Sequence, residues 1–247
     1  MKKITIFLIS FFTVFSMMAQ LQLESPFHRF GDLPEASSRS SIVLYDQLLT
    51  PIGGTASQVF TDFSNCELQT ADDFIVPAGG WTITDVDATG TWSYGPQPYP
   101  FTVIFYADAS GMPGAVIDSI VNNTYLDNAG IAQIALSTPI TLSAGHYWIS
   151  VMIEMPHGGG NPGQWFWAAL DGLPAINELS MFQDPCGLIG GPPTWAPTSV
   201  VIGSQYTQAS FALYGHPPMI PVSNWAIILG VLLIGTFIVV RYRRTLA

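Results

Sequence analysis

Five aspartates, Asp72, Asp73, Asp85, Asp87 and Asp108, are the carboxylates whose spacing along strand-like segments could bring them to one ligand. Calcium takes roughly six to eight oxygens, mostly from Asp, Glu and backbone carbonyls. A loop of the Asp-x-Asp-x-Asp-Gly kind is missing from the sequence, and Asp108-Ala109-Ser110-Gly111-Met112-Pro113-Gly114 reads equally as turn chemistry, with the aspartate accepting local backbone bonds. The expectation is no cofactor, with Ca²⁺ the one ion this donor set would take. His28, His146, His157 and His216 fall in no His-x-x-x-His frame, and the cysteines in no Cys-x-x-Cys frame, so zinc has little support. The glycines at 158–160 lack the lysine of a phosphate cradle. No Gly-x-Ser-x-Gly elbow offers a nucleophile. Glu67, Glu154 and Glu178 are the glutamates of the strand-rich region, and nothing in their spacing pairs them as a glycosidase would need.

Aromatic side chains offer a second chemistry. Trp165 and Trp167 flank Phe166 and point the same way if that run is a strand. Tyr94 lies in a Pro/Gly-rich stretch, and Trp195 stands between prolines. Exposed rings near Asn and Asp suit neutral sugars; the competing role for all four is core packing, where large aromatics usually go.

Charge narrows the partners. Between Arg39 and Arg241 there is no lysine or arginine, while all seventeen acidic residues lie between the two chain ends. Nucleic acid and other polyanions are disfavoured, because neutralising phosphate takes Lys and Arg. Neutral glycans, cations and other proteins remain.

The segments that must position these residues are short runs rich in Val, Ile, Phe, Tyr, Trp and Thr, broken by Gly, Pro, Asn and Asp. Candidate strands are 42–48, 56–60, 70–76, 82–91, 101–107, 115–121, 131–136, 146–154, 164–169 and 210–214. The pattern predicts an all-β ectodomain over 41–215, a β-sandwich or jelly roll. Phe101, Val103 and Phe105 share one face, residues 145–151 read as an interior strand, and the spacing of Ile83 and Val86 predicts a bulge. Cys66 and Cys186, an even pair in an exported chain, predict one disulfide.

The ends read as addresses. Lys2 and Lys3, an apolar stretch over 4–15 and Ala19 have the build of a cleaved secretory signal peptide over 1–19, followed by a linker or leader segment over 20–40. Residues 216–247 hold an uncharged run predicted to form a transmembrane helix (about 222–240) and an Arg-rich tail, Arg241, Arg243 and Arg244, that marks the cytoplasmic side.

The string Ile220-Pro221-Val222-Ser223-Asn224-Trp225, the apolar run and the arginine cluster together resemble the three-part C-terminal sorting signals of the PEP-CTERM and IPTL-CTERM types. The string lacks the Pro-Glu-Pro core of the first and departs from the second in the spacing of Pro221 and Trp225. The resemblance implies an exosortase-like protease as partner, cleavage near Pro221, and an ectodomain released or joined to the surface matrix; a permanent single-pass anchor is the alternative. Three phrases, at 71–77 with Gly80-Trp81, at 105–108 with Gly111, Pro113 and Gly114, and at 144–148, are similar to a recurrent extracellular domain of bacterial surface proteins. That resemblance implies a β-sandwich and transfers no active site. The expected function is that of an exported, membrane- or surface-sorted, non-enzymatic protein for adhesion, matrix association or weak glycan binding. The alternatives are a secreted polysaccharide-acting hydrolase and a purely structural matrix component.

Overall fold

A computed structural model of the chain describes residues 41–63, 66–158, 163–171, 178–217 and 224–245. The expected signal peptide, the leader segment and the sorting-signal residues Ile220, Pro221, Val222 and Ser223 lie outside the described residues.

Two β-sheets stack on a shared apolar core, as the short-strand pattern requires. The larger contains β1 (Ile42–Asp46), β2 (Gly53–Ala56), β5 (Trp81–Trp92), β8 (Tyr125–Asn128), β9 (Ile131–Leu142), β11 (Trp165–Leu170), β14 (Gln208–Ala209) and β15 (Phe211–His216). The smaller contains β3 (Gln58–Phe60), β4 (Cys66–Val76), β6 (Phe101–Asp108), β7 (Pro113–Asn123), β10 (Gly145–Met155), β12 (Met181–Gln183) and β13 (Ala196–Pro197). A single turn of helix, α1 (Thr198–Val201), follows β13, and α2 (Asn224–Thr245) ends the described chain.

Alternation of side chains along each strand fixes which residues meet between the sheets. Phe101, Val103 and Phe105 all enter the core, as do Ile149, Val151 and Ile153 of the central strand β10. Phe74 is the hub, its ring within 6.4 Å of Tyr45, Trp81, Phe105, Tyr147 and Phe211. The bulge expected in β5 is present: against β15, Ile83↔Gly215 is followed by Asp85↔Tyr214, which leaves Thr84 as the extra residue, while on the other side the β9 partner skips from Ile140 to Ala135. It lets Ile83 and Val86 both point inward. Pro139, which has no N–H to give the ladder, sits in the skipped stretch, and the Ser137 N–H there donates to Asn123 Oδ1 instead.

Both sheets fork. In the smaller, β10 pairs with β4 over its first half and then with β3, which runs parallel to it and wedges between the two. Ser57 stands at that fork, its hydroxyl donating to the Val151 carbonyl at 2.6 Å. In the larger, the chain leaves β11 and joins β5 at Ser210, whose carbonyl accepts from Trp167 Nε1 and from the Thr89 N–H. Gly90 is required beside this fork, since a Cβ there would lie 2.1 Å from the buried Trp165 indole nitrogen.

Cys66 and Cys186 are disulfide-bonded, with Cα atoms 5.8 Å apart. The bridge ties the start of β4 to the loop after β12, and a closure of 120 residues contributes up to about 5 kcal/mol by restricting the unfolded chain. The elements that sequence reading did not anticipate are β2, β8, β12, β13, β14 and α1, all of four residues or fewer. Among the described residues no helix is long and apolar enough to cross a membrane.

Candidate functional site

The outward face of the smaller sheet gathers most of the polar and aromatic groups with chemical potential. It is built from the odd-numbered residues of β4 and the even-numbered residues of β6 and β10. Strand register puts Trp148 directly between Asp73 and Tyr106. Met181 of β12 and Trp195, just before β13, cover part of this face, packing on Ala71, Ile104, Tyr106, Trp148 and Met152.

At one end of the face His146 stands between two carboxylates. Its Nε2 lies 2.6 Å from Asp73 Oδ2, and its Nδ1 lies 3.4 Å from Asp108 Oδ1. Trp148 Nε1 donates to Asp108 Oδ1 at 2.9 Å. The same Asp108 carboxylate accepts from the Ser110 and Gly111 N–H groups, which is the turn chemistry read from the sequence. Partial burial pushes the Asp108 carboxyl up, but the Trp148 indole and the Gly111 N–H outweigh it, and the net direction is down. Asp73 is fully buried, and desolvation raises its carboxyl against the lowering effect of the His146 hydrogen bond. The Glu178 backbone N–H also favours the charged form of Asp73, but Asp73 Oδ1 completes no hydrogen bond. Because both ring nitrogens of His146 already face carboxylates, neither is presented to a substrate, and the trio acts as a clamp joining β4, β6 and β10.

Toward the other end of the face, Tyr106 Oη and Gln183 Nε2 both donate to Gln69 Oε1, at 3.3 and 2.5 Å. Glu67 is half-buried beside them; desolvation raises its carboxyl, and a hydrogen bond from the Gln69 side chain offsets part of that. Burial, and then the nearby Glu67 charge, also push the Tyr106 phenol well up. Glu67 and Glu154 both pair with Val59, one from each side of β3, so their Cα atoms are about 10 Å apart, two strand spacings. Thr102 Oγ1 donates to Glu154 Oε1. This pairing depends on the parallel β3–β10 contact, and no local sequence signal reports it.

The five aspartates considered for Ca²⁺ do not converge. Successive residues of a strand face opposite ways, so Asp72 enters the space between the sheets while Asp73 points outward with Asp108. Asp85 and Asp87 belong to β5 in the other sheet. Asp85 accepts from the Ser41 and Thr84 hydroxyls, and Asp87 is 3% exposed. Among the described residues no group of three His, Cys, Asp or Glu side chains is placed to hold a metal ion. Asp72 instead links the sheets: its Oδ2 accepts from Gln47 Nε2 at 2.9 Å and from the Ala209 N–H at 2.7 Å, and its Oδ1 accepts from the Asp73 N–H. Complete burial raises this carboxyl well above its ordinary range despite those donors.

Of the four aromatics considered for sugar binding, Trp165 and Trp167 are corrected by the structure. They are 1% and 0% exposed, because both point inward from β11 onto Phe101 and Phe211 and so offer no face to a ligand. Tyr94 is 69% exposed and lies against Gly163. Trp195 is half-buried, edge-on to Tyr106 with centroids 5.8 Å apart. No model of a known protein family matches the chain, and no curated protein matches it either.

Proposed function

We propose that the chain is an exported, surface-sorted, non-enzymatic protein. Its β-sandwich faces the outside, α2 spans the membrane, and Arg241, Arg243 and Arg244 lie on the cytoplasmic side. The observation that carries this reading is α2 itself. Its 22 residues extend about 33 Å at the α-helical rise, against a hydrocarbon core of about 30 Å. Counted through its whole sequence, the helix has no charge from Trp225 to Val240 and then meets the arginines. An aromatic residue at one interface and cations at the other are what a single span requires.

The tail resembling a PEP-CTERM or IPTL-CTERM signal makes an exosortase-like protease the partner that processes it near Pro221. Adhesion, matrix association or weak glycan binding is the task that fits the domain. Two features support it: a half-exposed indole, Trp195, edge-on to Tyr106, whose hydroxyl donates to Gln69, and a histidine–carboxylate group tied into the sheet rather than presented to a substrate.

The test is expression of the full chain in a Gram-negative host carrying an exosortase. Intact cells are treated with external protease, and the mature N-terminus is determined by mass spectrometry. The expected result is degradation of the β-domain from outside, a mature chain beginning near Gln20, and loss of membrane retention or processing when the three arginines are replaced by alanine. A protected, cytoplasmic chain that begins at residue 1 would overturn the proposal.

A further inference from the structure

A separate pocket opens away from the face described above. Phe60 and Leu68, 3% and 0% exposed, form its floor. Phe63, His157 and the polar Gln164 form its walls, and Leu188 and Ile189 its rim. The three rings stand at steep angles to one another: Phe60 to Phe63 at 6.4 Å and 87°, Phe60 to His157 at 6.0 Å and 58°, and Phe63 to His157 at 6.3 Å and 68°. The volume is about 170 Å³. A comparable apolar cavity of about 150 Å³ takes one benzene, so this pocket accommodates a single compact apolar group.

Its walls are held open instead of collapsing. Asp62 accepts from the His157 and Gly158 N–H groups, both at 2.9 Å, which fixes the His157 wall to the turn carrying Phe63. Asp184 accepts from the Leu188, Ile189 and Gly191 N–H groups and fixes the rim. The disulfide joins the two sides. Phe63 and Ile189 consequently remain 48% and 57% exposed. Fixed apolar groups around a concavity lower the ordering cost of binding and mark a ligand site more than scattered surface residues do.

Charge selects the ligand. Aromatic faces carry the negative end of the ring quadrupole and attract cations. Asp62, bonded to the His157 and Gly158 backbone N–H groups beside the pocket, adds a carboxylate that is ionised at neutral pH as an exposed aspartate ordinarily is. No lysine or arginine occurs between residues 40 and 240 to oppose an incoming positive charge. We propose that the pocket formed by Phe60, Phe63, His157, Leu188 and Ile189 binds an organic cation with a compact methylated ammonium head.

The proposal is tested by calorimetric titration of the full chain, held in phosphatidylglycerol nanodiscs so that no lipid supplies a methylated ammonium. The two probes are choline and its uncharged isostere 3,3-dimethyl-1-butanol, which share shape and apolar surface. Choline is expected to bind at least tenfold more tightly, and Phe63→Ala to weaken it at least tenfold without moving the unfolding midpoint, since Phe63 is half exposed. Leu126→Ala, which removes an exposed apolar side chain of β8 away from the pocket, leaves choline binding unchanged. Equal affinity for the two probes, no choline binding, unchanged affinity in Phe63→Ala, or loss of binding in Leu126→Ala each overturns the proposal. The pocket lies wholly within the β-domain, so these outcomes are independent of whether α2 spans a membrane.

Discussion

Glu67, Asp72 and Asp73 within β4 differ from Asp62 and Asp184 in the loops, and from Asp108 at the end of β6, in how far burial outweighs their hydrogen-bond donors. The second set is wrapped largely by backbone N–H groups: Asp184 by those of Leu188, Ile189 and Gly191, Asp62 by those of His157 and Gly158, and Asp108 by those of Ser110 and Gly111 together with the Trp148 indole. Their carboxyls sit below the ordinary range. The β4 carboxylates draw on the Gln47, Gln69 and His146 side chains and on the Ala209 and Glu178 N–H groups from elsewhere in the chain, and burial raises all three. Asp62, Asp108 and Asp184 therefore tie segments together at little electrostatic cost, even where, as at Asp62, the donor is 95 residues away. The β4 carboxylates join comparably distant parts of the chain inside the domain, Asp72 to Ala209 across 137 residues and His146 to Asp73 across 73, and carry a desolvation penalty for doing so.

That difference is sharpest for Asp72. Asp72→Ala removes the acceptor for the Gln47 amide and for the Ala209 and Asp73 N–H groups, all buried. Each stranded donor costs about 1–3 kcal/mol, and with some relaxation the expected loss is about 4 kcal/mol, read as a shift in urea midpoint at constant slope. Asp72→Asn keeps one carbonyl oxygen and should lose distinctly less. A loss for Asp72→Ala no greater than that of a surface substitution would remove the contrast between the two sets.

The same division explains what could be read from the sequence. Local alternation was legible: the facing of Phe101, Val103 and Phe105, the bulge after Ile83, and the turn held by Asp108 all follow from residues within a few positions of one another. Each long strand was anticipated, because each carries enough β-branched and aromatic residues to be recognised alone. The short pairs β12–β13 and β14–β11 were not, since two or three residues carry no period, and their pairing is decided by what they cover. For the site, the Asp72-Asp73 dipeptide looked like a paired donor, and strand alternation sends its members to opposite faces. The His146 clamp and the Glu67–Val59–Glu154 alignment depend on which strands become neighbours, and this is set by the fork at Ser57.

A smaller effect is expected at Asp184. Its carboxylate is enclosed by its own loop yet set at the edge of the domain, so water can replace it once the loop relaxes. Asp184→Ala should cost about 1–2 kcal/mol, the range of one or two net hydrogen bonds to a charged group. It should also speed amide hydrogen exchange at Leu188 and Ile189, while exchange at Ala209 stays slow. Protection lost at Ala209 as well would mean that the loop and β4 carboxylates unfold as one unit.

The smallest effect is the response to pH, in which the two sets act in opposite directions. For Glu67, Asp72 and Asp73 the folded carboxyl holds its proton more tightly than the unfolded one, so their contribution is complete below the unfolded value of about 4 and is lost as pH rises through the higher folded values. For Asp62, Asp108 and Asp184 the contribution is present above about 4 and is lost as pH falls through the lower folded values. Together they place the stability maximum well on the acid side of neutral, near the ordinary carboxyl range, with a gentle rise on acidification from pH about 7. Urea midpoints followed from neutral to pH about 3 should show that rise before the final fall, and Asp72→Asn should flatten the rise while leaving the acid limb in place. A curve that falls steadily from neutral pH would mean that the backbone donors around Asp72 outweigh its burial, which would make it a charged bridge like the loop carboxylates and erase the distinction between the two sets.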